Sequence, residues 1–129
     1  MIYGIGTDIV KIERIRNSLE RFGERFARRI LSDAEFSEYQ TSVRPAHFLA
    51  KRFAAKEAVA KALGLGFREG LTLNLISVSH NPYGKPLIGY LGQALAYIQQ
   101  LGITESLLSL SDEQDYAIAF VVLLQADPS

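Results

Sequence analysis

One long alanine-rich segment most constrains how this chain can fold. Proline at position 45 suits the first turn of a helix, and the segment from Arg44-Pro45-Ala46 to about Leu63 predicts a single helix before the glycines at 64 and 66. On an ideal helical wheel the segment is apolar over most of its circumference. Because a helix of that kind is stable only when it is buried, we expect it to be the central helix of the fold.

The segments around this helix predict an α+β fold with a largely antiparallel sheet, organised as a single domain over residues 1–129. Glycine at position 23 could interrupt the first helical stretch. The predicted order is a strand at 2–7, a helical stretch from Ile9 to about Leu31, a helix with capping-box spacing at 32–40, the central helix, hairpin strands at 71–79 and 85–90, a helix at 93–101, and strands at 107–111 and 116–124.

Charge and cysteine content exclude several classes of function. The chain has 14 acidic and 14 basic residues, so its bulk charge predicts no nucleic-acid and no membrane partner. It has no cysteine, which excludes disulfides, thiolate metal sites and a thiol nucleophile. The amino terminus lacks the pattern of a secretory signal, and no apolar run approaches the ~20 residues of a membrane span, so we expect a cytoplasmic protein.

Asp8 is the first candidate functional residue. Strand alternation places Gly4 and Gly6 on the same face as Asp8, and glycines there would let another backbone or a ligand approach the carboxylate. The same aspartate stands where the predicted strand gives way to a helix, which is a common position for an N-cap. The sequence leaves both interpretations open.

Glu57 and Lys61 form a second candidate pair on the central helix. Residues four apart usually form a weak surface salt bridge. On the helical wheel, however, this pair lies among small alanines, which leave space for a ligand. Mg²⁺ binds one or two carboxylates together with substrate phosphate oxygens, and Asp8, Glu57 and a nearby lysine could supply that set.

Three motifs in this order resemble those of the holo-acyl-carrier-protein synthases, the small bacterial members of the 4′-phosphopantetheinyl transferase superfamily. The similarity covers nearly the whole chain. The motifs are Gly4-Ile5-Gly6-Thr7-Asp8-Ile9-Val10, Arg52-Phe53-Ala54-Ala55-Lys56-Glu57-Ala58 followed by Lys61, and Gly84-Lys85-Pro86.

The resemblance implies transfer of the 4′-phosphopantetheine arm from coenzyme A to a serine of apo-acyl carrier protein, as part of fatty acid biosynthesis. By similarity, Asp8 and Glu57 bind Mg²⁺, and Lys61 lies near the transferred phosphate. The resemblance also places Arg52, Gly84, Lys85 and Pro86 near the nucleotide portion of coenzyme A. Either a metal-bound water or Glu57 could accept the serine proton, and the sequence does not choose between them.

The resemblance also bears on the partners of the chain. Arg14, Arg21 and Arg28 fall on one face of the first helical stretch if it is continuous, and they would dock an acidic carrier protein. Family members of this length form homotrimers with active sites between subunits, which is what we expect here. Asp112 replaces a histidine that is common in the family, so the role of that histidine cannot be transferred.

Two other classes of function remain open from the residues alone. Two carboxylates and a lysine also suit a Mg²⁺-dependent phosphohydrolase or nuclease. A non-catalytic module could instead use the arginines to bind an acidic protein. His47 and His80 show no metal-ligand spacing and are interpreted as incidental.

Overall fold

The computed structural model describes residues 1–64 and 70–127. Its elements are β1 (Ile2–Lys11), α1 (Ile12–Phe22), α2 (Glu24–Ile30), α3 (Asp33–Tyr39), α4 (Pro45–Leu63), a 3₁₀ turn (Leu73–Leu75), β2 (Ile76–His80), β3 (Pro86–Tyr90), α5 (Gly92–Gln100), β4 (Ile103–Asp112) and β5 (Tyr116–Gln125). Leu65 and Gly66, which the sequence predicts to follow the central helix, lie outside the described residues. None of the described helices is long and apolar enough to cross a membrane.

The α+β fold with antiparallel pairing is confirmed, but the strands form two sheets. One sheet has the order β1-β5-β4, and the other is the β2-β3 hairpin. The hairpin contacts the larger sheet through side chains, including a 2.7 Å hydrogen bond between the hydroxyls of Tyr90 in β3 and Ser106 in β4. The division leaves the hairpin as a separate unit attached at the β4 side of the larger sheet.

The central helix α4 lies directly on the inner face of the larger sheet. That face consists of small or branched residues of β5, which are fully buried: Ala117, Ala119, Val121 and Leu123. On β1 the same face carries Gly4 and Gly6, where a β-carbon would lie 2.0 Å from the carbonyl oxygens of Ala62 and Ala58 respectively. The two glycines therefore let the helix backbone approach the strand.

The first strand is longer than the sequence predicts, which changes the interpretation of Asp8. The ladder between β1 and β5 continues past Asp8↔Ala119 to Lys11↔Tyr116. Helix α1 begins only at Ile12, and its N-cap is Lys11. The N-cap interpretation of Asp8 is therefore wrong, because hydrogen bonding to β5 keeps residues 8–11 extended.

The first helical stretch is broken at Gly23, which has a φ of 62° and separates α1 from α2. The prediction that the three arginines share one face required a continuous helix, and the helix is not continuous. Arg14 and Arg21 lie on α1, whereas Arg28 lies on α2.

Two further details of the predicted elements can be compared with the structure. The capping box at α3 is confirmed, because the Ser32 and Glu35 side chains each accept a hydrogen bond from the other residue's backbone N–H. The predicted strand at 71–79 is wrong in its first half, where residues 73–75 form the 3₁₀ turn.

Candidate active site

Asp8 and Glu57 line one cleft of about 370 Å³ between β1, α1 and α4. The other lining residues are Ile9, Val10, Arg14, Ile15, Ser18, Phe26 and Phe53. Asp8 is brought there by strand alternation on β1 and Glu57 by its position one turn before Lys61 on α4. The glycine-dependent contact between β1 and α4 therefore brings together two carboxylates that are 49 residues apart in the sequence.

Lys61 pairs with Asp8 and not with its helical neighbour Glu57. Its Nζ donates to Asp8 Oδ1 at 2.9 Å and to the carbonyl oxygen of Thr7 at 3.0 Å. The salt bridge between Glu57 and Lys61 that helical spacing predicts is therefore wrong, because Lys61 pairs with Asp8. The ammonium lies across the edge of β1, where a carboxylate and a backbone oxygen both accept from it.

The Glu57 carboxylate is held in an unfavourable electrostatic environment. Partial burial raises its pKa first, the nearby charge of Asp8 raises it further, and Lys61 opposes the shift. Within the described residues, Glu57 has no hydrogen-bond or ion-pair partner within 4.0 Å. Burial and a neighbouring like charge both disfavour the ionised form, so a cation beside this carboxylate would stabilise its charge.

The donor set fits a hard divalent cation that shares its ligands with a substrate. Mg²⁺ is typically bound by one or two protein carboxylates, with water and phosphate oxygens completing the octahedron. Asp8 and Glu57 supply the two carboxylates, and the cleft leaves room for the other ligands. Across residues 1–64 and 70–127, no group of three or more His, Cys, Asp or Glu side chains is placed to hold a metal ion.

Gly84, Lys85 and Pro86 lie at the exposed end of the hairpin, away from this cleft. The side-chain oxygen of Asn81 accepts from the backbone N–H groups of Tyr83 and Lys85, each at 2.9 Å, and so fixes the turn. Arg52 lies behind β2, with its side chain only 4% exposed. Of these residues, none is found among the described residues that line the cleft.

The arrangement of α4 explains this separation. Arg52 and Glu57 are five residues apart, which places them roughly 140° apart around a helix. Arg52 contacts β2, whereas Glu57 faces the β1 edge of the larger sheet. Strands β1 and β4 lie on opposite edges, two strand spacings or roughly 10 Å apart.

The three predicted docking arginines have different surroundings. Arg14 lines the cleft with Asp8 and Glu57. The Arg21 guanidinium lies 5.2 Å from the ring centroid of Phe22, and that of Arg28 lies 3.9 Å from the centroid of Phe36. All three remain exposed, but they follow the bend between α1 and α2.

Asp112, His47 and His80, which the sequence analysis also named, each lie near other charged side chains. Asp112 ends β4, and its Oδ1 lies 3.9 Å from Lys51 Nζ. His47 lies within 2.8 Å of an Arg44 guanidinium nitrogen. Burial lowers the pKa of His80, and Arg52 lowers it further.

The sequence analysis missed a buried cluster of charges formed by Glu35, Arg52 and Lys56. Their relative exposures are 1%, 3% and 0%. Burial lowers the pKa of Lys56 to about 8, while Glu35 opposes the shift. The available signal was the presence of Arg52 and Lys56, one turn apart, on a helix whose surroundings in the sequence are rich in alanine, since buried charges require partners.

The outer face of the larger sheet is exposed and apolar. Alternating residues of β1 and β5 bring together Ile5, Ile9, Ile118 and Phe120, which are 42–61% exposed. Leu107 of β4 adds to this surface, which we call the outer sheet face. Contiguous apolar surfaces of this kind are typical of protein interfaces.

Comparison of the sequence with known proteins gives a consistent family. Residues 4–121 match the 4′-phosphopantetheinyl transferase superfamily. The chain is 54% identical over 123 residues to the holo-acyl-carrier-protein synthase of Nitrosospira multiformis and 51% identical over 123 residues to that of Vibrio cholerae. Each alignment covers 95% of this chain and 98% of the relative.

Solved structures agree with the sequence comparison. The crystal structure of holo-acyl-carrier-protein synthase from Neisseria meningitidis is 47% identical, with a TM-score of 0.91 over 97% of this chain and 100% of that chain. The Bacillus anthracis holo-acyl-carrier-protein synthase in complex with CoA (3′,5′-ADP) is 33% identical, with a TM-score of 0.81 over 98% of this chain and 99% of that chain.

Proposed function

The chain belongs to the 4′-phosphopantetheinyl transferase superfamily, and from that premise we propose that it transfers 4′-phosphopantetheine from coenzyme A to apo-acyl carrier protein. The product is holo-acyl carrier protein, which serves fatty acid biosynthesis. The observation that supports this proposal most strongly is the pair of carboxylates, Asp8 and Glu57, that share one cleft beside Lys61. The predicted cytoplasmic location remains a prediction.

The proposed reaction is a phosphoryl transfer to a hydroxyl. The serine oxygen of the carrier forms a bond to the pantetheine-side phosphorus of the coenzyme A diphosphate. The bond from that phosphorus to the bridging oxygen breaks, and the electron pair leaves with adenosine 3′,5′-bisphosphate. The serine proton is lost to a base. Positioning and charge stabilisation provide most of the catalysis in reactions of this class.

Asp8 and Glu57 are the proposed Mg²⁺ ligands. When bound, Mg²⁺ supplies charge neutralisation on the diphosphate that is attacked. Lys61 Nζ donates to Asp8 Oδ1 at 2.9 Å and so neutralises that carboxylate directly. Lys61 is therefore positioned to turn its ammonium towards a phosphate oxygen once Asp8 has another partner, and this is the role we propose for it.

The coenzyme A site is proposed to be completed by a second subunit. Gly84, Lys85 and Pro86 would bind the nucleotide portion, yet they belong to the separate hairpin and do not line the cleft that holds Asp8 and Glu57. A homotrimer would place the hairpin of one subunit beside the carboxylates of the next. The outer sheet face supports this assembly, because its exposed apolar side chains gain stability when covered.

Arg14, Arg21 and Arg28 are proposed to dock the carrier protein. Acyl carrier proteins are acidic, so exposed guanidinium groups on α1 and α2 would steer and hold them by charge complementarity. Arg14 is placed most directly, because it lines the cleft in which the serine would react.

Mass spectrometry of an apo-carrier tests the proposed function. After incubation with coenzyme A, Mg²⁺ and the protein, we expect the carrier to gain the mass of one phosphopantetheine unit. Consumption of coenzyme A without carrier would instead indicate a phosphohydrolase. Carrier binding without any mass gain would indicate a non-catalytic module, and either result would contradict the proposal.

A further inference from the structure

Three charged side chains are buried between α4, α3 and the hairpin, apart from the cleft. Glu35 Oε1 accepts from Lys56 Nζ at 2.5 Å and from the backbone N–H of Ser32 at 2.9 Å. Lys56 also donates to the carbonyl oxygen of Ile30, the last residue of α2. Arg52 donates to Glu38 at 3.0 Å, and its Nε lies 3.9 Å from Glu35 Oε2. We call Glu35, Arg52 and Lys56 the buried charge cluster.

This cluster provides hydrogen-bond partners for backbone groups on the edge of β2 that does not pair with β3. The backbone N–H of Val78 donates to Glu35 Oε2 at 3.1 Å, and the carbonyl oxygen of Val78 accepts from Arg52 at 2.7 Å. Both backbone groups of Val78 therefore bond to side chains of the cluster, in the way that they would bond to another strand. The other side of β2 pairs with β3, where Val78 stands opposite Ile88.

The hairpin needs such an anchor if it is to present a ligand site. A hairpin of two strands is marginally stable by itself. Its turn is fixed internally by Asn81, but that contact does not locate the turn relative to α4. The contacts of Val78 connect β2 to the same helix that carries Glu57 and Lys61.

The cluster is not explained well by stability alone. Buried ion pairs are costly to desolvate, and apolar residues of similar volume often stabilise a fold as much or more. Four elements meet at this cluster, however, and directional hydrogen bonds fix their relative positions in a way that apolar contacts do not. Arg52 directs its bonds to Val78 and Glu38 and leaves only 4% of its side chain exposed, so little of it can reach a ligand.

We propose that Glu35, Arg52 and Lys56 are positioning residues for the hairpin that binds coenzyme A, an inference that rests on the proposed function. Arg52 acts on coenzyme A through the backbone of Val78, and not by direct contact. The cluster thereby sets the spacing of Lys85 and Pro86, which bind the nucleotide, from the helix that carries the metal ligands.

Two variants and a matched control test this role in the full-length protein. Arg52→Lys keeps the charge but cannot reach both Val78 and Glu38, and Glu35→Gln combined with Lys56→Met removes the buried pair without leaving an isolated charge. We expect each variant to raise the KM for coenzyme A about tenfold and to leave the KM for carrier protein within about twofold. Amide hydrogen exchange of residues 76–90 should also become faster. The control, Glu38→Gln, changes the half-exposed partner of Arg52, whose described hydrogen bond is to Arg52 and not to the β2 backbone, and should have neither effect.

Other outcomes overturn the proposal. If Arg52 binds coenzyme A directly, Arg52→Lys will raise the KM without faster exchange, and the double variant will leave the KM unchanged. If the cluster serves only stability, the melting temperature and the active fraction will fall while both KM values stay constant. If the wild-type protein transfers nothing to the carrier, the proposed function fails, and unchanged exchange in the variants would still refute the positioning role separately.

Discussion

A β-carbon on Gly6 would lie 2.0 Å from the carbonyl oxygen of Ala58. Real side chains do not approach a backbone atom so closely, so this position of β1 requires glycine while α4 keeps its place. The contact lies two residues before Asp8 and one residue after Glu57. The distance between the two candidate metal ligands is therefore set by a contact in which no side chain takes part.

Gly6→Ala should destabilise the fold and disturb the cleft. The added methyl group forces β1 and α4 apart, and overpacking of this kind typically costs about 1–3 kcal/mol. Chemical denaturation measures the loss. Gly89→Ala is the matched control, because its β-carbon would meet nothing nearer than the Ser77 carbonyl oxygen at 3.8 Å. Equal losses in the two variants would contradict the argument.

Glu57→Gln should raise the melting temperature of the metal-free protein while removing its response to Mg²⁺. Burial and Asp8 raise the pKa of Glu57 above its unfolded value, so the ionised form destabilises the fold. That cost is missing below the unfolded pKa and is fully present above the folded one. A neutral amide removes it.

Differential scanning fluorimetry at pH 7 checks both parts of this prediction. In a chelator, Glu57→Gln should melt above the wild type. With Mg²⁺ and coenzyme A, the wild type should gain stability by ligand binding and the variant should gain less. A variant that melts below the wild type without metal would show that the carboxylate has a stabilising partner.

Phe120→Asp should dissociate the proposed trimer. Phe120 is 45% exposed at the centre of the outer sheet face, where it stands opposite Thr7 and Ser109. A charge there makes burial against another subunit costly. Analytical ultracentrifugation should give trimers for the wild type and monomers for the variant, and transfer activity should fall with the trimer. A wild type that is monomeric at working concentration would contradict the assembly.

Arg14→Glu and Arg21→Glu should each raise the KM for carrier protein and weaken its salt dependence. Both residues are exposed on α1, and charge reversal replaces attraction of an acidic partner by repulsion. We expect an effect of about tenfold for each at low ionic strength, which corresponds to ~1.4 kcal/mol. Arg16→Glu makes the same charge change on another face of α1, where Arg16 lines a separate groove with Leu19 and Tyr39. An equal effect of Arg16→Glu would argue for general electrostatics without a defined docking face.

Local patterns in the sequence predicted much of the fold. The capping box, the central helix and the α+β class are confirmed, because each depends on short-range periodicity or on hydrogen bonds between near neighbours. The end of β1 was predicted wrongly because residues 8–11 are held by β5, more than 100 residues away. The strand and helix propensities of residues within a short stretch of sequence cannot detect such a partner.

The candidate site shows the same limit. The sequence placed Gly4, Gly6 and Asp8 on one face of a strand, and the structure agrees, with α4 as the backbone that approaches the glycines. Helical spacing gave Glu57 as the partner of Lys61 in one of the two interpretations of that pair, but the partner is Asp8, far away in the sequence. The buried charge cluster was missed because its contacts join four separate elements, although charged residues on an apolar helix signalled that partners were needed.

The central claim is that Asp8 and Glu57 bind one divalent ion together, and Mg²⁺ titration calorimetry in the presence of coenzyme A tests it most directly. The proteins compared are the wild type, Asp8→Asn, Glu57→Gln and the double variant, with Glu13→Gln as a control for charge. We predict that each single variant abolishes Mg²⁺ binding and that the double variant is no worse, since two ligands of one ion are not additive. Unchanged Mg²⁺ affinity in either single variant, or independent additive losses, would contradict the account.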